Sequence, residues 1–342
     1  MPYEREETLY DVAEDIQGWQ AAGKQVVLAR VAAIQGFGSR TDGAVMALVE
    51  GGEHRGALLS GVADDTLRRE WLALLADRPA QTRTFNVTIG NDDAIAAGLG
   101  CGGSAQVVLQ RTSALPPAVW TAVEQGRRLA LVSGLHGEGC VLLREGDEAA
   151  GQLGDSELAE SGVARARELL RHTRTCAEVV EQGSGQLLVE VFAPRVHLVV
   201  VGRASLADAL AAQARLLDWR SSTVDGLTQA EALVGGLRAS DALVLLTHDK
   251  TIDAQILASA LRQGVGYVGA LGSRTTQTGR RERLATLGVE EALIARLHGP
   301  VGLDIGAATP EETAVSIVAE ILASMASRAA APLTSSATPI HG

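Results

Sequence analysis

Thr247, His248 and Asp249 follow an apolar run from Ala242 to Leu246, and Asp253 comes one helical turn later. Polar and titratable side chains at the carboxyl end of a strand can meet a ligand or a metal, although His248 could equally cap a helix or pack. Further on, Gly269-Ala270-Leu271-Gly272-Ser273-Arg274 leads into a helix expected from Thr275. Gly272 frees the backbone, Ser273 can cap, and Arg274 brings a fork of donors to a helix N-terminus, which together make a phosphate site. Plain capping with a solvated Arg274 is the alternative. Gly202-Arg203-Ala204-Ser205-Leu206-Ala207 follows the run Val196 to Val201. A dinucleotide fingerprint needs G-x-G-x-x-G/A; Gly202 and Ala207 fit, but Ala204 replaces the second glycine and weakens NAD(P) binding. Asp225 ends the next strand, where a ribose-binding acid belongs. Gly299 to Gly306 is a glycine-rich loop holding one acid, Asp304, or simply a turn into the last helix.

In the N-terminal half, Cys101-Gly102-Gly103 precedes a strand from Ala105 to Leu109. A cysteine followed by two glycines is sterically open and could ligate a soft metal or carry sulfur; a small buried residue is the plainer reading. Cys140, in a strand, and Cys176, in a region read as helical, are assigned structural roles, and His136 sits in a loop with no identifiable partner. Three widely spaced cysteines suggest neither a disulfide framework nor a zinc site.

These residues need elements to hold them. A chain of 342 residues with 46% hydrophobic residues, 38 glycines and only 3% aromatics suits two or three α/β domains. The net charge of −11 argues against nucleic acid and against an anionic membrane surface. The charged N-terminus shows no secretory signal, and no run approaches the ~20 apolar residues of a membrane span. The expectation is a soluble, cytoplasmic protein.

Leu9, Val12, Ile16 and Trp19 share one helical face. Val26 to Ile34 and Ala44 to Val49 read as strands, Glu50-Gly51-Gly52-Glu53 as a hairpin into Arg55 to Leu59, and a helix follows through Trp71, Leu72 and Leu75. The order recurs with Arg128 to Ser133, Cys140 to Leu143, a turn at Glu145 to Glu148, a strand to Leu153 and a helix through Leu169 and Leu170. At a constant offset Gly51 falls on Gly146, Gly56 on Gly151 and Leu74-Leu75 on Leu169-Leu170, which suggests an internal duplication. After Pro194, strands alternate with helices of about a dozen residues, which implies a parallel sheet covered on both faces. The last helix opens with a capping box, Thr309 to Glu312, and carries Val315, Ile317, Val318 and Ile321 inward. The expected organisation is an α+β domain over 1–193, a Rossmann-like α/β domain over 194–326 and a disordered tail over 327–342.

Taken together, Thr247-His248-Asp249, Tyr267 to Arg274, Gly299 to Gly306 and the helix opener Thr309-Pro310-Glu311-Glu312 with its Ile317 to Ile321 continuation resemble the XdhC/CoxI family. Cys101-Gly102-Gly103 resembles the family's N-terminal domain. The resemblance implies a maturation chaperone that binds molybdenum cofactor, as molybdopterin or its dinucleotide form. It would protect the cofactor while a sulfido ligand is installed and deliver it to an apo-molybdenum hydroxylase of xanthine or carbon monoxide dehydrogenase type. It also implies a homodimer, with a cysteine desulfurase or a paralogue as further partners. Gly202, Ser205, Asp225, Thr247, His248, Asp249, Gly272, Ser273, Arg274, Asp304 and Gly306 would then bind the cofactor, and Cys101 would approach the metal. Two stretches depart from the family pattern, Gly36 to Arg40 and Leu58 to Asp65, and the second lacks the expected cysteine. The rival expectations are an NAD(P)-dependent oxidoreductase and a non-binding partner of an intact paralogue.

Overall fold

The computed structural model describes residues 7–36, 43–99, 101–136, 139–144, 146–154, 156–171, 175–183, 185–247 and 249–335. It divides into two compact units, Met1–Pro194 and Arg195–Gly342.

The first unit holds two antiparallel five-stranded sheets of identical order. Strands β1 (Val26–Gly36), β2 (Val45–Val49), β3 (His54–Gly56), β4 (Thr82–Ile89) and β5 (Gly103–Arg111) lie in the order β3-β2-β1-β5-β4. Strands β6 (Leu129–Gly134), β7 (Gly139–Arg144), β8 (Ala150–Leu153), β9 (Cys176–Gln182) and β10 (Gly185–Phe192) lie in the order β8-β7-β6-β10-β9. Helices α1 (Leu9–Ala21) and α4 (Ala118–Glu124) precede the first strand of each sheet. Helices α2 (Asp64–Ala76) and α5 (Ser156–Leu169) follow the third, and α3 (Asn91–Ala96) is found only in the first repeat among the described residues. The duplication expected from the glycine spacing is therefore present, and each repeat is longer than the sequence suggested by two further strands. Cys176 opens strand β9 and is not helical: cross-strand pairing with Val191 decides its conformation.

The sheets share one core. Val26, Leu28, Val45 and Ala47 from the first meet Leu129, Leu131, Cys140, Leu142 and Phe192 from the second, with α1 and α4 packed in the same cluster. The opposite faces are covered separately, by Leu67, Trp71 and Leu74 of α2 and by Ala166 and Leu169 of α5. One detail fixes the repeat alignment. Gly56 and Gly151 both have positive φ, and a Cβ on either would lie 2.3 or 2.2 Å from the carbonyl oxygen of Val45 or Cys140, which are themselves equivalent residues. Both sites require glycine for the same reason.

At the centre, Arg30 is fully buried; its guanidinium donates to Glu190 and Gln110, with Ser133 Oγ 3.4 Å away. Strand registers make Arg30 the equivalent of Ser133 and Gln110 the equivalent of Glu190. Burial pushes the Glu190 carboxyl pKa up, and the charge and hydrogen bond of Arg30 pull it back.

In the second unit, β11 (His197–Val201), β12 (Arg220–Val224), β13 (Ala242–Leu245), β14 (Tyr267–Ala270) and β15 (Leu297–His298) form an all-parallel sheet ordered β12-β11-β13-β14-β15. Its inner strands β11, β13 and β14 are buried on both sides because helices cover both faces, whereas the edge strand β12 is polar and largely exposed. Helices α7 (Leu227–Val234), α8 (Lys250–Gln263), α9 (Arg274–Thr286) and α10 (Glu291–Ile294) supply residues to one cluster; α6 (Ser205–Leu216) and α11 (Pro310–Met325) supply the other. Thr309 caps α11 with Glu312 in the expected capping box. Val315, expected inside, is 45% exposed, and Ser316 is buried in its place, because the inward stripe runs through Ala314, Ile317, Val318 and Ile321. Among the described residues no helix is long and apolar enough to cross a membrane.

Candidate functional site at the carboxyl edge of the parallel sheet

From β11 the chain passes outward to β12 and then returns to β13 on the other side, so the connections diverge between β11 and β13. A crevice beyond the strand ends at such a point is where ligands bind in open α/β sheets. Gly202, at φ 113°, turns the chain there, and a Cβ on it would lie 2.9 Å from Thr247 Cγ2, so the β11 and β13 loops touch. Helix α6 then starts at Ser205, with Ala204 as an extended N-cap that makes no side-chain cap bond. Ala207 N donates to the Ala204 carbonyl at 2.8 Å, which leaves the amides of Ser205 and Leu206 to face an acceptor. Asp225 lies 3.8 Å from Arg203 Nε, an exposed pair between the β12 end and the glycine loop.

The β13 loop is braced from below. Thr247 Oγ1 donates to Asp253, and Arg280 Nη2 donates to Asp253 Oδ2 at 2.9 Å and to the Thr247 carbonyl at 3.1 Å. Arg280 also donates to the Leu271 carbonyl in the β14 loop. Asp253 and Arg280 are 2% and 1% exposed. Asp253 is therefore a buried brace and does not face a ligand. Asp249 caps α8, accepting from Ile252 N at 3.1 Å. His248 lies outside the described residues.

Beyond β14, Ser273 Oγ accepts from Thr276 N and caps α9, which starts one residue earlier than expected, at Arg274. Ser273 and Arg274 are exposed, and the Arg274 guanidinium has no ion-pair partner among the described residues. Gln277 is buried; its Nε2 donates to the carbonyls of Ala270 and Gly272, and its Oε1, without a hydrogen-bond partner, lies where a Cβ on Gly299 would come within 2.4 Å. The loop after β15 is held by Glu320, which accepts from Gly302 N at 2.7 Å, from Tyr267 Oη and from His298 Nδ1 at 3.1 Å. Burial alone would raise the Glu320 pKa, but the bonds from His298, Tyr267 and Gly302 outweigh it and hold the carboxyl below its ordinary value. Burial pushes the Tyr267 phenol well up, and Glu320 adds to that. Asp304 and Gly306 are exposed in the same loop.

The edge thus gathers Gly202, Ser205, Asp225, Thr247, Asp249, Gly272, Ser273, Arg274, Asp304 and Gly306 on strand-end loops. The sequence reading missed Gln277, Arg280 and Glu320. Their signal was positional: Gln277 and Arg280 share the helical stripe of Leu284, and Glu320 adjoins Ile321.

In the first unit, Cys101 is exposed, whereas burial pushes the Cys140 thiol up to about 11. The loop around Cys101 is tightly built: Gly102 N donates to Asn91 Oδ1 at 2.8 Å, and a Cβ on Gly36 would come within 2.6 Å of the Gly102 carbonyl oxygen. The stretch from Leu58 to Asp65, which lacks the expected cysteine, contains three consecutive left-handed residues, Leu59, Ser60 and Gly61, just before α2. Phe37 to Arg40 lie outside the described residues. His136 Nε2 lies 3.3 Å from Gln186 Oε1, a partner the sequence did not reveal.

Residues 198–321 match the XdhC Rossmann domain, and residues 19–86 match the XdhC and CoxI family. The molybdenum cofactor insertion chaperone PaoD of Escherichia coli is 25% identical over 88% of this chain and 83% of its own. A Bacillus subtilis protein described as a probable xanthine dehydrogenase component is 25% identical over 87% of this chain and 93% of its own. The E. coli protein YqeB is 31% identical over 41% of this chain, a match that spans 29% of its own length. A solved Bacillus halodurans structure described as a xanthine dehydrogenase shares the fold, with a TM-score of 0.58 at 20% identity over 97% of this chain and 98% of that one. Both units carry a family match, and the chain belongs to the XdhC and CoxI family.

Proposed function

We propose that this chain is a maturation factor that binds molybdenum cofactor and delivers it to an apo-molybdenum hydroxylase. The observation that carries the reading is the set of anion-receptive groups at one sheet edge: the open N-terminus of α6 and the Ser273–Arg274 start of α9. A phosphorylated pterin fits these donors through its phosphate. Among the described residues no three His, Cys, Asp or Glu side chains gather to hold a metal. In this reading the organic part of the cofactor is held at the sheet edge, beside Thr247 and Asp249. Cys101, exposed in the other unit, is the proposed thiol for metal or sulfur contact. The cofactor itself supplies the molybdenum chemistry; the residues named here bind and orient it. A role as homodimer and a partnership with a cysteine desulfurase belong to the same proposal.

The test is cofactor content after purification from cells that make molybdenum cofactor. Near-stoichiometric pterin is expected, and Arg274→Ala should lower it about tenfold, the scale of one charge-assisted hydrogen bond. Unchanged retention in that variant would remove Arg274 from the site. Recovery of bound NAD(P) in place of pterin would instead favour an oxidoreductase, the reading suggested by Gly202 and Asp225.

A further inference from the structure

We infer that Arg280 is the positioning residue of the ligand edge: its one buried guanidinium fixes the β13 and β14 loops to each other, so that a ligand bridging them meets a preset gap. The inference deepens the carrier reading above and rests on it for the identity of the ligand, not for the coupling of the loops. The ladders of β13 and β14 each run one residue past the strand and stop. Leu246 N donates to the Val201 carbonyl and Leu271 N to the Leu245 carbonyl, both at 2.8 Å. Helix α8 starts only at Lys250 and α9 at Arg274, so the carbonyls of Thr247 and Leu271 belong to neither ladder nor helix and need other donors. Both accept from the same guanidinium: Arg280 Nη2 donates to Thr247 at 3.1 Å, and Nη1 donates to Leu271.

The two charged anchors come from different helices. Asp253 lies in the first turn of α8, which follows the β13 loop, and Arg280 lies in α9, which follows the β14 loop. Asp253 accepts from Arg280 Nη2 at 2.9 Å and from Thr247 Oγ1, and both charged side chains are almost wholly buried. Each helix thus sends one side chain back beneath the loops, and the pair closes a clamp across neighbouring strands about 4.8 Å apart. Packing alone does not need this charge, because α8 and α9 already share Ile256, Leu257 and Leu284 in one apolar cluster. A buried pair adds little stability over apolar residues of the same volume, but a guanidinium fixes direction through its rigid planar fork. That constraint reaches the neighbouring residues. A Cβ on Gly272 would lie 3.4 Å from Arg280 Nη1, so the turn into Ser273 and Arg274 rests on the guanidinium. On the other side Gly202 packs against Thr247 Cγ2, so the β11 loop follows the β13 loop.

Two variants of the full chain separate positioning from stability. In Asp253→Leu combined with Arg280→Met, apolar side chains replace the pair, and the denaturant midpoint should match or exceed that of the unchanged chain. Arg280→Lys keeps a charge beside Asp253 but loses the fork, and should stay folded with a lower midpoint. In both, the amides of Leu246 and Leu271 should exchange hydrogen about tenfold faster relative to Val200, the scale of one hydrogen bond. Val200 is the reference because it sits in the middle of the sheet, between β12 and β13. Pterin retained on purification should fall about tenfold in both variants, whereas a merely structural pair would let the double variant recover retention along with stability. Faster exchange at only one of the two amides, at neither, or equally at Val200 would overturn the inference, as would full retention in the stable double variant. If the unchanged chain carries no pterin, the carrier reading falls, and joint acceleration at Leu246 and Leu271 still upholds the coupling. If the double variant does not fold, Arg280→Lys decides by the same comparison with Val200.

Discussion

The two repeats of the first unit share strand order, helix placement and even the glycine against which β3 or β8 packs, yet they differ at one end. In the first repeat, β4 and β5 are joined by α3 and the Cys101 loop, and α2 is entered through the left-handed turn at Leu59 to Gly61. In the second, β9 ends at Gln182 and β10 begins at Gly185, and α5 starts two residues after Gly154. Gly36, Gly102 and Gly103 come together at the elaborated end. A duplicated scaffold needs both sheets to bury its shared core, but among the described residues only the first copy carries an extra helix, α3.

The comparison can be broken first at its centre. Arg30→Met leaves Glu190 buried without its partner and should cost about 3–5 kcal/mol, read by denaturant unfolding; Arg30→Met combined with Glu190→Leu should recover most of the loss. If the single and double variants are equally unstable, the pair does not join the repeats. Next, Gly56→Ala and Gly151→Ala should each cost about 1–3 kcal/mol, toward the upper end because a backbone carbonyl is the obstacle. Losses that differ widely between the two would mean that the repeats are not mechanically equivalent. A smaller effect of opposite sign is expected for Ser60→Gly, which relieves φ 53° and should stabilise by about 0.5–1 kcal/mol after the extra chain entropy of glycine. Finally, Cys101→Ala should leave stability within about 0.5 kcal/mol. A maleimide should label Cys101 quickly in the native chain and leave Cys140 untouched; rapid labelling of Cys140 would contradict its burial.

Much of this was legible in the sequence, for identifiable reasons. The repeats showed through because Gly51, Gly56 and their counterparts Gly146 and Gly151 hold positive-φ positions that few other residues tolerate. The parallel sheet showed through because Leu198 to Val201 and Ala242 to Leu246 are uninterrupted apolar runs. Strands β4 and β9 did not: Thr82-Arg83-Thr84 and Cys176-Ala177-Glu178 carry polar residues whose strand character comes from pairing with β5 and β10. The glycine and polar residues of the candidate site were found because they sit on loops at strand ends. Arg280 and Glu320 were not, since a charged helical residue ordinarily faces solvent, and only its register with Leu284 or Ile321 betrays burial.

The pair at the centre of the first unit also bears on how such a duplication persists. Equivalent positions hold Arg30 and Ser133, and Gln110 and Glu190. Two copies of the first repeat brought together would confront one buried guanidinium with another, with no carboxylate between them. Two copies of the second would bury two carboxylates and no cation. Each half has thereby lost self-complementarity and fits only its sibling, so the fused arrangement cannot revert to a symmetric pair of separate chains without changing these residues first.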